Sequence, residues 1–411
     1  MLPKTQRLPA TFASLRHRNF RLFFTGQLLS LVGTWMQSVA QGWLVLQLSG
    51  SALALGLVGA ASSAPVLAFS FLGGTLADRA SKRRLLVLTQ TASMLLALGL
   101  WALVASGLVA TWHVLVMATL LGTVMAFDIP ARQAFVVEMV GREDLVNAIA
   151  LNSSAFNAAR MVGPALAGII IASAGVANCF LLNGLSFLAV LGALLLMDER
   201  LLGGPRERDR AGLREGLREV RRFLQASREH LLVLGMISAL SILVLPYAVL
   251  MPIMARDVLG VGARGLGFLM SATGVGALTG ALGVATFGGR GRRSRWLFGS
   301  SFLVSAALLA FALSRSFPLS LALLFLVGLG IVVQATTTNG FLQLSVPDTM
   351  RGRMMALFGI MFMGMMPLGN LVAGLLAHLF GAPFALGLGA ALCGGLSAAA
   401  LLCSPRLRRL R

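Results

Sequence analysis

Three ionisable side chains stand inside long apolar stretches of the chain, where no water would stabilise their charge. Asp128 and Arg132 lie four residues apart in one stretch, and Arg160 lies in the next. Charged groups in such a setting are energetically costly and mark functional positions. Asp128 could pair with Arg132 or with Arg160, because consecutive membrane helices are antiparallel neighbours. The carboxylate could form a permanent salt bridge that locks one conformation, or it could carry a proton when its partner moves away.

About twelve apolar stretches surround and position these charges. A hydrocarbon core of about 30 Å needs roughly 20 consecutive apolar residues per helix, and 57% of the chain is hydrophobic. We therefore predict an all-α polytopic membrane protein with twelve transmembrane helices. The predicted helices cover residues 20–48, 52–77, 84–106, 112–138, 145–173, 176–197, 229–254, 264–288, 295–314, 317–345, 353–379 and 382–403.

The basic residues are distributed unequally between the gaps that separate these stretches. Of the 34 Lys and Arg residues, 30 lie in or toward every second gap or in the terminal segments. Arg256, Arg264 and Arg315 lie at the other gaps, and Arg160 lies well inside a stretch. Excess basic residues in short cytoplasmic loops orient membrane helices, so both termini are predicted to be cytoplasmic. The net charge of +20 would then meet anionic lipid headgroups. Nucleic acid is excluded as a partner by the apolar composition.

One long hydrophilic segment divides the twelve stretches into six and six. We predict an N-terminal six-helix bundle over residues 1–197, a cytoplasmic linker over 198–228 and a C-terminal six-helix bundle over 229–411. Apolar residues recur in the linker at helical spacing among arginines and glutamates, which predicts an amphipathic helix on the membrane surface. These residues are Leu213, Leu217, Val220 and Leu224.

The two halves look duplicated. Residues 135–175 align without a gap on residues 341–381, at a constant offset of 206, and Gly56 matches Gly267 at an offset of 211. The first alignment pairs the glycines Gly163 with Gly369, Gly168 with Gly374 and Gly175 with Gly381. Two similar six-helix halves are what alternating access needs, with a central site that opens to each side of the membrane in turn.

A short basic loop joins the second and third stretches. It reads Gly73-Gly74-Thr75-Leu76-Ala77-Asp78-Arg79-Ala80-Ser81-Lys82-Arg83-Arg84. This loop resembles the signature loop of the major facilitator superfamily, with Ser81 where that family usually has glycine. We expect Gly74 to let two helices approach closely and Asp78 to cap a helix or pair with a cation. Arg79 and Arg83 are expected to hold the loop at the headgroups.

Further motifs narrow this resemblance. Three segments are similar to the branch that holds the enterobactin exporter and macrolide efflux proteins: Asn19-Phe20-Arg21-Leu22-Phe23, Gly33-Thr34-Trp35-Met36-Gln37 and Asp128-Ile129-Pro130-Ala131-Arg132. Gly163 and Pro164, followed by Gly168, resemble the antiporter motif of drug exporters. A proline flanked by glycines suits a helix that rocks between two conformations. It would equally suit a static packing face of small residues.

The resemblance implies a secondary active transporter of the bacterial inner membrane. It would export amphiphilic small molecules, such as drugs, macrolide-like compounds or siderophores, by proton antiport. Its partners would be the small-molecule substrate, protons and membrane lipids. An importer, a facilitator or a lipid translocator on the same fold stays an alternative, because the fold does not encode direction.

The central cavity is expected to be mostly neutral, since few ionisable residues lie within the stretches. Amide side chains offer sparse hydrogen bonds, and methionine adapts to varied shapes, a combination that suits bulky amphiphiles better than sugars. The candidate lining residues are Trp35, Gln37, Gln41, Asn157, Gln334, Asn339, Met361 and Met365.

Motifs for other chemistries do not stand out in the chain. It has no Gly-x-x-x-x-Gly-Lys-[Ser/Thr] loop for ATP, no His-Glu-x-x-His or Cys/His cluster for a metal, and no Gly-x-Ser-x-Gly elbow. We therefore predict no cofactor, no metal and no enzymatic activity. An intramembrane enzyme is the alternative from a different class.

Overall fold

The protein consists of long helices, and the computed structural model describes residues 10–202, 222–225, 227–288 and 293–404. A short 3₁₀ helix, Ala10–Arg16, precedes the first long helix. The long helices of the described residues are α1 Arg18–Ser49, α2 Ala52–Arg79, α3 Lys82–Ala105, α4 Thr111–Val140, α5 Leu145–Ala174, α6 Val176–Leu195, α7 Arg228–Val258, α8 Gly262–Phe287, α9 Arg293–Leu313, α10 Phe317–Ser345, α11 Met350–Phe380 and α12 Ala382–Cys403.

The predicted helices are confirmed to within a few residues at each end. Glycines in the left-handed region mark several of the turns, which is expected because glycine adopts positive φ without steric penalty. Gly175, between α5 and α6, has φ 87°, and Gly381, between α11 and α12, has φ 89°. These two glycines are related by the offset of 206, so the duplication extends to backbone conformation.

The outer surface of the helices is apolar. Eleven of the described helices are long and apolar enough to cross a membrane. The remaining one, α1, has 32 residues and carries Gln27, Gln37 and Gln41 along its length. Large side chains such as Phe71, Leu88 and Leu195 point outward, each more than 60% exposed. A surface of this kind is suited to lipid rather than water, and the protein is an all-α polytopic membrane protein.

The helices pack mainly within each half. In the first half, α1 contacts α5 and α6, α2 contacts α4, and α3 contacts α4 and α6. In the second, α8 and α9 contact α10, and α12 contacts α9 and α11. Two helix pairs make extensive contacts across the halves, α5 with α8 and α2 with α11. These crossing pairs enclose the centre of the molecule.

The two membrane faces of the fold differ in charge. We call one the basic face, defined by Arg16, Arg83 and Arg142, and the other the opposite face, defined by Gly175 and Gly381. Most of the predicted linker lies outside the described residues, including Leu213, Leu217 and Val220. The bounds of the two bundles therefore stay a prediction.

Two helices of the second half are interrupted by wider turns. Leu240–Val244 and Met254–Val258 in α7, and Ile360–Gly364 in α11, are π-helical. Such segments insert one extra residue into a turn and occur frequently at functional sites. Pro367 lies three residues after the segment in α11, in the first turn of the helix that resumes at Met366, where its missing N–H does not break an α-helical turn.

Candidate functional site

Two glycine contacts close the opposite face between the two halves. On α5 and α8, a Cβ added to Gly168 would lie 3.0 Å from the Cα of Gly267. On α2 and α11, a Cβ added to Gly374 would lie 2.7 Å from the Cα of Gly56. Larger residues would push these helices apart, as in other small-residue packing between membrane helices. The two contacts, which we call the glycine seams, are equivalent under the offsets of the duplicated halves.

The contact between α5 and α8 continues inward from its seam. A Cβ added to Gly274 would lie 2.8 Å from the carbonyl oxygen of Arg160. Arg160 lies about 22 Å from the start of α5 at 1.5 Å per residue, so this contact reaches the middle of the helix. The halves are therefore joined from the opposite face to the centre of the molecule.

A cavity of about 400 Å³ lies between the halves. Helices α1, α2, α5, α7, α8 and α11 all contribute to its wall. Its polar groups from the first half include Gln41, Ser62 and Arg160, and those from the second half include Tyr247 and Asn370. The volume and the mixture of apolar walls with a few polar groups are typical of a small-molecule site.

Arg160 and Trp35 form the charged part of this cavity. The guanidinium carbon lies 5.8 Å from the centroid of the indole ring, within the range of a cation–π interaction. The Phe156 ring meets the same indole edge-on, with centroids 5.5 Å apart. No acidic residue is among the described residues that line the cavity. Arg160 is the one charged residue among the described residues of this wall, which is otherwise neutral.

Gly163 and Pro164 fix the position of Trp35 relative to Arg160. A Cβ added to Gly163 would lie 2.6 Å from the Cβ of Trp35 and 2.8 Å from the carbonyl oxygen of Val32, so α5 can press against α1 only because Gly163 has no side chain. Pro164 is buried at the cavity wall. Gly163 and Pro164, which resemble the antiporter motif, thus pack α5 against α1 and form part of the cavity wall.

Two of the predicted cavity residues of the first half are not part of the cavity wall. Gln37 accepts a hydrogen bond from Asn183 of α6 at 2.6 Å. Asn157 donates to the carbonyl oxygen of Ser153 on its own helix at 2.9 Å. These amides satisfy contacts within the first half instead of lining the cavity.

The remaining predicted cavity residues belong to packing in the second half. Asn339 accepts a hydrogen bond from Gln343 at 2.6 Å, and the Met361 sulfur accepts one from Ser238 of α7 at 3.0 Å. Gln334 is fully buried and is not part of the cavity wall. Met366 lines the cavity where Met365 was predicted. Trp35 and Gln41 do line the cavity, as predicted.

Asn370 is a cavity residue that sequence reasoning missed. It is only 3% exposed, and its Oδ1 atom has no hydrogen-bond partner among the described residues. It occupies the position equivalent to Pro164 under the offset of 206. A polar residue in the second copy of a motif that has proline in the first could have drawn attention to it.

Asp128 is the centre of a buried hydrogen-bond network between α3 and α4. Its carboxylate is fully buried and accepts hydrogen bonds from Thr89 at 2.8 Å and Gln90 at 2.7 Å. The other carboxylate oxygen pairs with Arg132 one turn along α4. The structure thus contains the Asp128–Arg132 pair, whereas Arg160 contacts Trp35 on the cavity side.

The loop between α2 and α3 differs in detail from its predicted roles. Gly73 makes the close helix contact, since a Cβ there would overlap the carbonyl oxygen of Ala126, whereas a Cβ on Gly74 would meet no atom within 4 Å. The prediction for Gly74 is therefore wrong by one residue. The α3 N-cap is Ser81, which accepts from the Arg84 N–H, and the side chains of Asp78 and Arg79 are exposed.

Arg83 and Lys82 attach this loop to the rest of the first half. The Arg83 guanidinium donates to the carbonyl oxygens of Leu194 at 2.7 Å and Leu195 at 3.1 Å. These carbonyls belong to the last turn of α6, where they have no donor within the helix. The guanidinium also forms an ion pair with Glu199. Lys82 pairs with Glu138 of α4 at 2.7 Å, a contact that the sequence did not reveal.

A second polar cluster ties the segment before α1 to the start of α5. Asp144 lies 2.9 Å from Nε of Arg16 and 2.7 Å from Nε2 of His17. Ser14 donates to the Asn147 side chain through its hydroxyl at 2.7 Å. The hydrogen bond from His17, together with the charge of Arg16, holds the pKa of the Asp144 carboxyl below its ordinary value.

Comparison with known proteins places this fold and cavity among transporters. Residues 9–410 match the family model described as transmembrane secretion effector. The chain is 25% identical to the staphyloferrin A transporter of Staphylococcus aureus, covering 88% of this chain and 90% of that protein. It is 30% identical to the multidrug efflux pump Tap of Mycobacterium tuberculosis, covering 86% and 85%. The enterobactin exporter EntS of Shigella boydii is 27% identical, covering 83% and 81%.

Solved structures share the fold. A bacterial homologue of the human lysosomal transporter Spinster, in an inward-facing and occupied conformation, superposes with a TM-score of 0.72 at 13% identity, covering 96% of this chain and 97% of that one. The nucleoside transporter NupG superposes with a TM-score of 0.69 at 13% identity, covering 96% and 100%. The duplicated six-helix halves, the central cavity and the match over nearly the whole length agree, and the chain belongs to the transmembrane secretion effector family of the major facilitator superfamily of transporters.

Proposed function

We propose that the protein exports amphiphilic small molecules across the bacterial inner membrane by alternating access. The observation that carries this proposal is the pair of glycine seams, which close the opposite face beyond a cavity shared by both halves. Separating both seams would open the cavity to the opposite face, and the basic ends of the halves would then approach each other. The moving bodies would be residues 1–197 and 229–411, joined by the linker 198–228.

The orientation and direction of transport have separate support. The concentration of Lys and Arg at the basic face favours a cytoplasmic position for that face and for both termini. Export is favoured by two of the relatives, which are named as an enterobactin exporter and a multidrug efflux pump, beside a staphyloferrin A transporter. Drugs, macrolide-like compounds and siderophores share an amphiphilic character that suits a cavity with apolar walls and few polar groups.

Proton entry is the proposed driving force, and Asp128 is the acidic group available to respond to it. It is the only acidic residue in the middle of a described apolar helix. Its donors Thr89, Gln90 and Arg132 all stabilise the charged carboxylate, which favours the locking role. Protonation would remove the ion pair with Arg132 and loosen α3 from α4, so a proton would act by releasing this lock.

The proposal is tested by substrate accumulation in efflux-deficient cells. Dyes, antibiotics and siderophores are compared with and without a protonophore, in cells with the wild type, Asp128→Asn or the control Asp348→Asn. Asp348 is exposed at the basic face and pairs with Arg351, so its replacement should leave export intact. We expect lower accumulation with the wild type, and loss of this effect with protonophore and with Asp128→Asn.

Each other outcome contradicts a defined part of the proposal. Reduced accumulation that persists with protonophore would exclude proton coupling. Increased accumulation would indicate import. An absence of any change across the panel would argue against small-molecule export and in favour of lipid movement.

A further inference from the structure

We propose that the transported molecule carries an anionic group and that Arg160 is its counter-charge in the cavity. This inference rests on the proposed export function and specifies its substrate class. It would make Arg160 a specificity-determining residue. Arg160 would then not belong to the Asp128 network.

The charge of Arg160 has no acidic partner in the described part of the chain. The described acidic residues of the helices lie near the ends of those helices, except Asp128, which is fully buried and already paired with Arg132. Among the described residues, the Arg160 guanidinium contacts the Trp35 ring. A cation–π contact stabilises a cation less than a carboxylate does, so the guanidinium has donors to offer to a ligand.

An unpaired cation at the centre of a membrane protein is costly, and a bound anion would relieve that cost. The guanidinium presents its donors in a planar fork that matches carboxylate and phosphate geometry, with two parallel hydrogen bonds. Because the cavity is shielded from bulk water on the closed opposite face, this interaction is screened less than it would be at a surface. The site therefore favours anions over neutral and cationic molecules of the same shape.

The rest of the cavity fits the apolar part of such a molecule. Under the offset of 206, the residue equivalent to Arg160 is Met366, and both line the cavity. The first half thus presents a cation where the second presents a flexible apolar side chain, which Met270 and Leu266 extend. Asn370 adds a buried oxygen that has no hydrogen-bond partner within the described ranges, and this oxygen could accept a hydrogen bond from a hydroxyl or amide of the ligand.

Binding to purified protein in lipid nanodiscs provides the test. The probes are three dansyl amphiphiles with the same undecyl chain, ending in a carboxylate, a primary carboxamide or a trimethylammonium group. Charge-assisted hydrogen bonds are roughly twice as strong as neutral ones, so we expect the wild type to bind the carboxylate at least about 10-fold more tightly than the carboxamide. Arg160→Gln should remove this preference, and Arg160→Lys should retain part of it.

The matched control is Arg315→Gln, which removes an exposed arginine at the opposite face whose recorded contact is the Ser314 carbonyl oxygen. This variant should keep the wild-type preference. Equal affinity of the wild type for carboxylate and carboxamide, or a preference that survives Arg160→Gln, would overturn the inference. The wild-type comparison decides the question even if Arg160→Gln fails to fold.

Transport of the same probes in proteoliposomes separates this inference from the proposed function. Selective binding of the carboxylate without movement of any probe would contradict export and support the anion site. Movement of the carboxamide and ammonium probes in preference to the carboxylate would support export and overturn the anion site.

Discussion

Asp128 and Gln334 occupy equivalent positions on α4 and α10, 206 residues apart, and both side chains are fully buried. Asp128 accepts hydrogen bonds from Thr89, Gln90 and Arg132. Neither amide atom of Gln334 has a partner among the described residues. The two halves share a backbone plan, but only the first half has a buried lock at this position.

Replacing Gln334 with leucine should stabilise the protein. Burying an amide without a partner costs about 1–3 kcal/mol, and leucine removes that cost at similar volume. We expect an increase in the free energy of unfolding of about 1 kcal/mol, measured by denaturant unfolding in detergent. Gln90→Leu is the matched control and should destabilise, because it removes a donor to Asp128. A destabilised Gln334→Leu variant would indicate that the amide has a partner in another conformation.

Asp128 and Arg132 should be energetically coupled. Asp128→Asn leaves the arginine without its charge partner, and Arg132→Gln leaves a buried carboxylate with only neutral donors. We expect each single change to lower the free energy of unfolding by about 1–3 kcal/mol, and the double change to cost less than the sum. A double-mutant cycle in detergent measures this coupling. Strict additivity would mean that the pair does not act as a lock.

Enlarging a glycine of the seams should open the opposite face. The test uses a variant in which the three native cysteines are replaced and Gln41→Cys is introduced. The extent of labelling of this single cysteine measures access to the cavity. We expect Gly374→Leu to increase its labelling by a membrane-impermeant maleimide from the opposite face several-fold, since the leucine side chain would overlap α2 at Gly56. Gly283→Leu is the control, because no atom lies within 4 Å of a Cβ at that glycine. Equal labelling in both variants would show that the seams do not close this face.

The contact of Asp144 with Arg16 and His17 should resist mild acid. The pKa of Asp144 is lowered in the folded protein from an ordinary value of 3.8. Its stabilising contribution is therefore complete above that pH and is lost as the pH falls through the lowered pKa. The measurement uses an environment-sensitive fluorophore attached to the cysteine of a Phe12→Cys variant. Its emission should change only below about pH 4, when the 3₁₀ helix Ala10–Arg16 separates from Asp144. Asp144→Asn should release this helix at neutral pH, and release of the wild type well above pH 4 would contradict the assignment to Asp144.

The helices were predictable because membrane-spanning length and apolar composition leave few alternatives. The direction in which a polar side chain points was less predictable. In a helix that is apolar on all sides, periodicity does not distinguish the cavity face from a face packed on a neighbour. The sequence therefore predicts Gln37 in the cavity, although it bonds to Asn183. It likewise predicts Gly74 at the close contact between helices, although Gly73 makes that contact.

Asn370 and Met366 line the cavity but were not predicted from the sequence. Both residues follow the π-helical turn at Ile360–Gly364, and no sequence signal predicts that turn. The local sequence also could not decide between the two partners of Asp128, since both arginines lay within reach. The structure decides it because the Arg160 guanidinium lies over the Trp35 ring of α1 and not beside Asp128.

The wider turns lie in α7 and α11 of the second half, whereas the described helices of the first half contain none. Helices kink preferentially at π-helical segments, where the regular backbone hydrogen-bond ladder is interrupted. The first half, with its buried ion pair and tied loop, is therefore expected to behave as a stiff frame. The second half would then be the more flexible one, and any bending of helices during the proposed transport cycle should occur mainly in α7 and α11.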